Sequence, residues 1–194
     1  MAYFLGRDVK VAISTEHATK GFTNSTGDAA YGTADSTGVP DLAGIDITDG
    51  TGTVTDVTGI DISMGAVDED VVYIGQRTAL KAEIKKDTSI TITRKKSDRF
   101  WSEMWALGYR WGGDAAAHTG LTQPDTTHGF RLHLAVKDTK EVITVPGCTF
   151  TEYAQTLSAD GVTEETLTFM SSITPGVGAT EDTSNLIGSG TYPL

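Results

Sequence analysis

The chain has 194 residues, with 15 basic and 26 acidic side chains, a formal net charge of −11, 38% hydrophobic residues and one cysteine. That length suits one domain rather than two. The acidity excludes a sequence-independent binder of nucleic-acid phosphates, and a single thiol excludes an intrachain disulfide framework or a multi-cysteine metal centre. No apolar run approaches the roughly 18 residues of a spanning helix. The start Met1-Ala2-Tyr3-Phe4-Leu5-Gly6-Arg7-Asp8 lacks the basic region and long apolar stretch of a secretion signal, so a soluble protein of a reducing compartment is expected. Thr is abundant (31 residues) alongside Val, Ile, Gly and Asp, which is the makeup of strands joined by turns. Charge falls in blocks: residues 1–76 carry 3 basic and 12 acidic groups, 77–110 carry 9 and 4, and 111–194 carry 3 and 10. Opposite poles of this kind favour association between copies.

Residues 7–16 alternate, with Val9, Val11 and Ile13 on one side, and predict a strand. From residue 17 to about 44 the text turns to Gly, Ser, Thr, Ala and Asp, a connection too long for an ordinary loop. An arm or insertion over 17–60 is therefore expected. Gly44-Ile45-Asp46-Ile47-Thr48 and Gly59-Ile60-Asp61-Ile62-Ser63 nearly repeat one another, and two antiparallel strands around a Gly-rich turn account for them. Residues 70–75 read as a short strand. Residues 78–95 read as a hairpin: Leu80, Ala82 and Ile84, then a turn near Asp87, then Ile90 and Ile92, with one face apolar and the other hydrophilic.

The period then changes. In residues 97–108, Phe100/Met104/Leu107 and Trp101/Trp105 recur at helical spacing, Ser97 is a plausible cap, and Gly108 is a stop. One helix of about three turns is predicted, covering a sheet face. After the loop 111–128, Phe130, Leu132, Leu134 and Val136 alternate with Arg131, His133 and Lys137. Further strands are read at 141–145, 150–157 and 164–173, with turns at 138–140 and at Asp160-Gly161. The tail 175–194 reads as extended.

The search for chemistry returns little. There is no nucleophile elbow, phosphate-binding loop or HExxH motif, and Gly176-x-Gly178 lacks the third glycine of a dinucleotide fingerprint. His118, His128, Asp114 and Asp125 share one loop and are the only candidate metal ligands, against the plainer reading of polar loop residues. Asp41, Asp46, Asp49, Asp56 and Asp61 lack the register and closing glutamate of a calcium loop. Glu164 and Glu165 are adjacent on a strand and so face opposite ways, unsuited to paired acid–base work. Cys148 reads as a small buried residue. No enzyme activity and no cofactor are expected.

Strands with one wet face, one amphipathic helix, a long arm and no active-site motif point to a self-assembling structural protein. Three features carry a more specific likeness: the lead of residues 1–11 opening directly into a strand, the helix 98–107 set between strand groups, and the late Asp160-Gly161-Val162-Thr163-Glu164-Glu165-Thr166-Leu167-Thr168-Phe169. This order of elements resembles the major tail tube proteins of tailed bacteriophages and, more broadly, the tube subunits of contractile injection systems. The resemblance implies one mainly β tail-tube-type sandwich or barrel over 1–194, with one helix packed on it. It also implies hexameric rings stacked into a virion tail tube, assembled in the host bacterial cytoplasm with sheath, baseplate and terminator proteins as neighbours. DNA would pass an acidic bore without specific binding, and no membrane is involved. The basic block complicates that bore. Arg94, Lys95, Lys96 and Arg99 are therefore expected at ring edges, facing Asp41, Asp46 and Asp49 of the adjacent ring. The alternatives are a capsid decoration protein, or a carbohydrate-binding sandwich using Tyr109 and Trp111.

Overall fold

The computed structural model describes residues 9–16, 22–23, 38–39, 42, 44–71, 80–97, 101–102, 105, 129–136, 141–157, 159 and 161–183. Nine strands follow in order: β1 (Lys10–Thr15), β2 (Phe22–Thr23), β3 (Gly38–Val39), β4 (Val57–Val71), β5 (Leu80–Lys95), β6 (Phe130–Val136), β7 (Glu141–Thr156), β8 (Glu164–Ser171) and β9 (Gly176–Gly178). Seven form one antiparallel sheet in the order β1-β6-β7-β8-β5-β4, with β9 added on β7, while β2 and β3 make a separate ribbon. The protein is mainly β, as its Thr, Val and Ile content predicts.

The sheet curls because β7 serves two halves. Its first half pairs with β6 through Cys148, and its second half pairs with β8 from Thr149 onward. Between them lies Pro146-Gly147, where Pro offers no N–H to a ladder and Gly147 takes a left-handed φ of 60°. Closure comes from the other end of the path. Residues 51–54 run along β1, with Ile13 N–H donating to Gly52 O (2.9 Å) and Val54 N–H to Val11 O (2.8 Å), and three residues later the same chain enters β4. Asp56 makes that corner at φ 59°, a conformation Asp tolerates better than most side chains. Its carbonyl accepts the Lys95 N–H (3.0 Å).

The enclosed core takes alternate residues from every wall: Val11 and Ile13, Ile90 and Ile92, Phe130, Leu132 and Leu134, Val145, Phe150, Leu167 and Phe169. Phe150 stacks on Phe169 (5.1 Å between centroids), and Trp101 meets both rings edge-on at 5.4 and 5.8 Å. Such contacts add to the area each ring buries.

Several expectations are corrected. Residues 80–95 form one unbroken strand, not a hairpin turning at Asp87. Asp87 lies opposite Gly65 in register, and the polar run Lys85-Lys86-Asp87 marks only where the strand leaves the core. The two Ile-Asp-Ile copies do not pair with each other. The second lies in β4 against β5, while the first forms a turn closed by an Asp46–Thr51 bridge. The strands read at 141–145 and 150–157 are one bent strand, β7. The helix expected over 97–108 is not borne out as an element: only Trp101, Ser102 and Trp105 have helical backbone among the described residues, and most of the span lies outside them. The face of β6 read as wet is buried. Leu42, Ile45 and Ile47, from within the span read as an arm, cover it together with Ala12, Ala135 and Val142. The rest of the segment 17–43, the loop 111–128 and the tail beyond 183 also lie largely or wholly outside the described residues.

Because Gly147 holds a left-handed conformation at the bend, Gly147→Ala is expected to lower unfolding free energy by about 1–2 kcal/mol, read as a shift in urea midpoint without change of slope.

Candidate functional site

The feature best placed to do work is the outer face of the half formed by β4, β5, β8 and the second half of β7. Side chains alternate along a strand, so the inner set of β5 and β8 (Thr88, Ile90, Ile92, Arg94; Glu165, Leu167, Phe169, Ser171) is buried and the other set faces out. Register aligns the outer set in rows across four strands: Ser63–Ser89–Met170–Thr149, Asp61–Thr91–Thr168–Glu152, Gly59–Thr93–Thr166–Ala154 and, at the rim, Lys95–Glu164–Thr156. The rows are small and hydroxylic. Their charges are Asp61, Glu152 and Glu164 against Lys95, and Asp87 continues the face beyond them. Thr149 and Thr151 donate to the carbonyls of Met170 (3.3 Å) and Thr168 (3.1 Å), and Thr58 to that of Thr93 (3.2 Å). These bonds tie down hydroxyls that would otherwise offer loose donors.

The borders of this face are unfinished. Among the described residues no strand pairs with the far edge of β4, and the second half of β7 has β8 alone. β8 meets β5 only from Thr88 to Lys95, so residues 80–87 and their β4 partners 65–71 run on as a two-stranded ribbon. Unpaired edges of this length are templates for pairing, and a lone two-stranded ribbon is marginal in water.

Beneath the face lies a buried ion pair. Arg94 and Glu165 are both fully buried and bonded to each other, and the Glu165 carboxylate also accepts from Tyr153 OH (2.8 Å) and Lys96 Nζ (3.3 Å). Lys96 further reaches Tyr153 OH (3.0 Å), which meets Ser102 Oγ at 2.7 Å and Gln155 Nε2. Partial burial pulls the Lys96 ammonium down, but Tyr153 and Glu165 together outweigh it and the net shift is upward.

The expected ring-edge residues therefore separate. Arg94 is corrected: in phase with Ile90 and Ile92, it is spent on Glu165 inside the chain, not displayed at an edge. Lys96 is half-buried in the same network. Lys95 is exposed at the rim. Asp46 holds a turn, its Oδ1 accepting from the N–H groups of Thr48 (2.8 Å) and Asp49 (3.1 Å). Asp49 is exposed and accepts the Thr51 N–H (2.8 Å), and its hydrogen bonds with Thr51 hold its carboxyl below the ordinary range. Arg99 and Asp41 lie outside the described residues, as do Tyr109, Trp111 and the candidate metal ligands Asp114, His118, Asp125 and His128. Among the described residues no three metal-ligating side chains converge.

A second buried pair escaped sequence reasoning. Arg131 grips Glu16 (Nη2–Oε2 2.7 Å), and Glu16 Oε1 also accepts the Gly147 N–H at the bend of β7 (2.7 Å). Cys148 beside it is fully buried, and burial together with the negative charge of Glu16 pushes its thiol far up.

Removing one partner of a buried pair strands the other's charge. Glu165→Gln is expected to cost about 3 kcal/mol in urea denaturation, while the double variant Arg94→Met with Glu165→Leu should recover most of that loss.

No family model matches the sequence, and no curated protein matches it. Solved structures do. A chain of the extended-state sheath-tube complex of the PVC extracellular contractile injection system is 10% identical, with a TM-score of 0.48, and the match covers 92% of this chain and 93% of that one. A chain of the virion of a native gene transfer agent particle is 11% identical, with a TM-score of 0.47, over 90% and 98%. A chain of the tail of an empty gene transfer agent particle, refined with helical and C6 symmetry, is 13% identical, with a TM-score of 0.42, over 68% and 90%. The chains that this protein is similar to thus come from virion, tail and sheath-tube assemblies.

Proposed function

We propose that this chain is a structural, non-enzymatic subunit of a virion tail tube, closing in hexameric rings that stack into a channel for genome delivery. The observation that carries the reading is the four-stranded outer face with an unpaired strand at each border among the described residues. Its four strands alternate in direction. A copy of β4 set beside the second half of β7 therefore continues the antiparallel alternation, and a ring of copies closes with no edge left over. The ribbon 65–71/80–87 gains its missing neighbour in the same step.

In the closed ring the rows of Ser, Thr and Gly line the bore. Asp61, Asp87, Glu152 and Glu164 outnumber Lys95 there, and the surplus repels phosphates at the distances of a narrow channel. DNA passes without being held. Rings stack through rim charges, Lys95 of one copy opposite acids such as Asp49 of the next. Sheath, baseplate and terminator proteins are the further partners, and assembly takes place in the host bacterial cytoplasm.

Negative-stain microscopy of the purified chain is expected to show rings or tubes; a monodisperse monomer at high concentration, or closed shells, would sink the reading. Thr91→Lys with Thr168→Lys should leave rings intact but make them retain DNA, with an affinity that falls steeply with salt. Intact rings that ignore DNA would move the bore to another face. Lys95→Glu should shorten or abolish tubes while rings persist, and Asp49→Lys added to it should restore length. Full-length Lys95→Glu tubes would remove this contact from the stacking surface.

A further inference from the structure

On the other half of the molecule, the second face of β1, β6 and β7 carries a line of buried polar groups. Ser14, His133 and Thr144 are all buried, with Ser14 Oγ 3.3 Å from His133 Nε2 and His133 Nδ1 3.3 Å from Thr144 Oγ1. β9 continues the sheet beside residues 142–144, and the chain then turns back so that Asp182 lies against this line. β9 pairs with residues 142–144 at only three positions, and Val177 is two-thirds exposed. As it turns back, the segment encloses a hollow of about 300 Å³ lined by its own residues Gly176, Val177, Gly178, Thr180, Glu181 and Asp182, with Thr144 at the floor. It is fastened again at Asp182, whose N–H donates to Thr144 Oγ1 (3.1 Å) and whose carbonyl accepts from Arg131 Nη1 (2.8 Å). Short pairing, an open hollow within the turn and a backbone fastening at Asp182 describe a strap, not a core strand.

We propose that residues 176–183 form a latch against the buried Ser14–His133–Thr144 line and that protonation of His133 opens it. Thr144 is the shared element: its hydroxyl oxygen takes the Asp182 N–H and also faces His133. Neutral imidazole satisfies the line by donating at one nitrogen and accepting at the other. The imidazolium donates at both, so whichever hydroxyl donates to the neutral ring, Ser14 or Thr144, has to turn, and the new charge lies beside the Arg131 guanidinium. Among the described residues the charged groups around the ring are Arg131 on β6, Glu16 just past the end of β1, which pairs with Arg131, and Asp182 on the strap. β1 and β7 otherwise present the uncharged Ser14 and Thr144.

Burial, then the Arg131 charge, lower His133 to about 3, with Asp182 opposing them weakly. A histidine released to water titrates near its ordinary 6.5. The closed latch is therefore fully favoured above about pH 6.5 and loses ground steadily as the pH falls from there toward 3.

The test is amide hydrogen exchange of the full chain at residues 142–144 and 176–183, corrected for the intrinsic pH dependence of exchange. The opening equilibrium should rise about tenfold between pH 7.5 and 5.5, with its onset near 6.5. His133→Gln, which keeps hydrogen-bonding capacity without a titrating ring, should make it flat. Thr144→Val should raise opening at both pH values, since the fastening is lost. A pH-independent opening in the native chain, or the same rise in His133→Gln, overturns the proposal. Should the Gln variant not fold, the native chain still decides, because an onset well below 6.5 would overturn the assignment to His133.

Discussion

A single bent strand lets one sheet face itself. β7 pairs with β6 before Pro146-Gly147 and with β8 after it, so the walls that enclose Phe150, Phe169, Ile92 and Leu132 are joined through one continuous backbone. The bend is not left to the turn residues alone. Glu16 accepts the Gly147 N–H that the left-handed conformation turns out of the ladder, and Arg131 holds Glu16 in place. A carboxylate this deeply buried is tolerable only with a partner on each oxygen. The ion pair, the bend and the closure of the core are thus parts of one arrangement.

Among the described residues, the same economy of strands leaves the sheet unpaired at its borders. Residues 51–54 and β4 belong to one stretch of chain that closes on β1 at its start and runs out along β5 at its end. Where β4 leaves the core, nothing described lies beyond it. A monomer with such borders is prone to pair with copies of itself, which is a hazard in a solitary protein and a means of closure in a ring. The rows of the outer face are mostly Ser, Thr and Gly, Thr149 bonds to the Met170 carbonyl, and their described charges are Asp61, Glu152 and Glu164 against Lys95.

The buried polar networks occupy opposite ends of this design. Arg94–Glu165 lies under the proposed bore and joins β5 to β8, with Lys96 and Tyr153 carrying the network toward Ser102. Breaking either partner alone is expected to cost more than replacing both, because it leaves a buried charge without its counter-ion. On the other half, Ser14, His133 and Thr144 form a line without formal charge at neutral pH, met at Thr144 by the strap's Asp182.

Much of the strand content was legible from alternation, because a half-buried strand has to place one residue in two against the core. The phase of Ile90, Ile92 and Arg94, and of Glu165, Leu167 and Phe169, already marked Arg94 and Glu165 as inward-facing, although their charge suggested surface. Three things were not legible. Polar residues at Asp87 looked like a turn because sequence does not say how far a strand extends beyond the core it serves. Arg131 and His133 looked wet because what lies on their face comes from distant segments: Asp182 against Arg131, and Leu42, Ile45 and Ile47 on the neighbouring Ala12, Ala135 and Val142. The bend of β7 looked like a break between two strands, since Pro-Gly ends most strands and continues one only where a partner such as Glu16 receives the displaced N–H. By itself, then, the sequence determined the local periodicity, the acidic surplus and the β class, all of which depend on neighbours along the chain. Which faces are covered, which charges are spent inside and which edges stay open were decided only by tertiary structure, because burial depends on what returns from far away to lie on top.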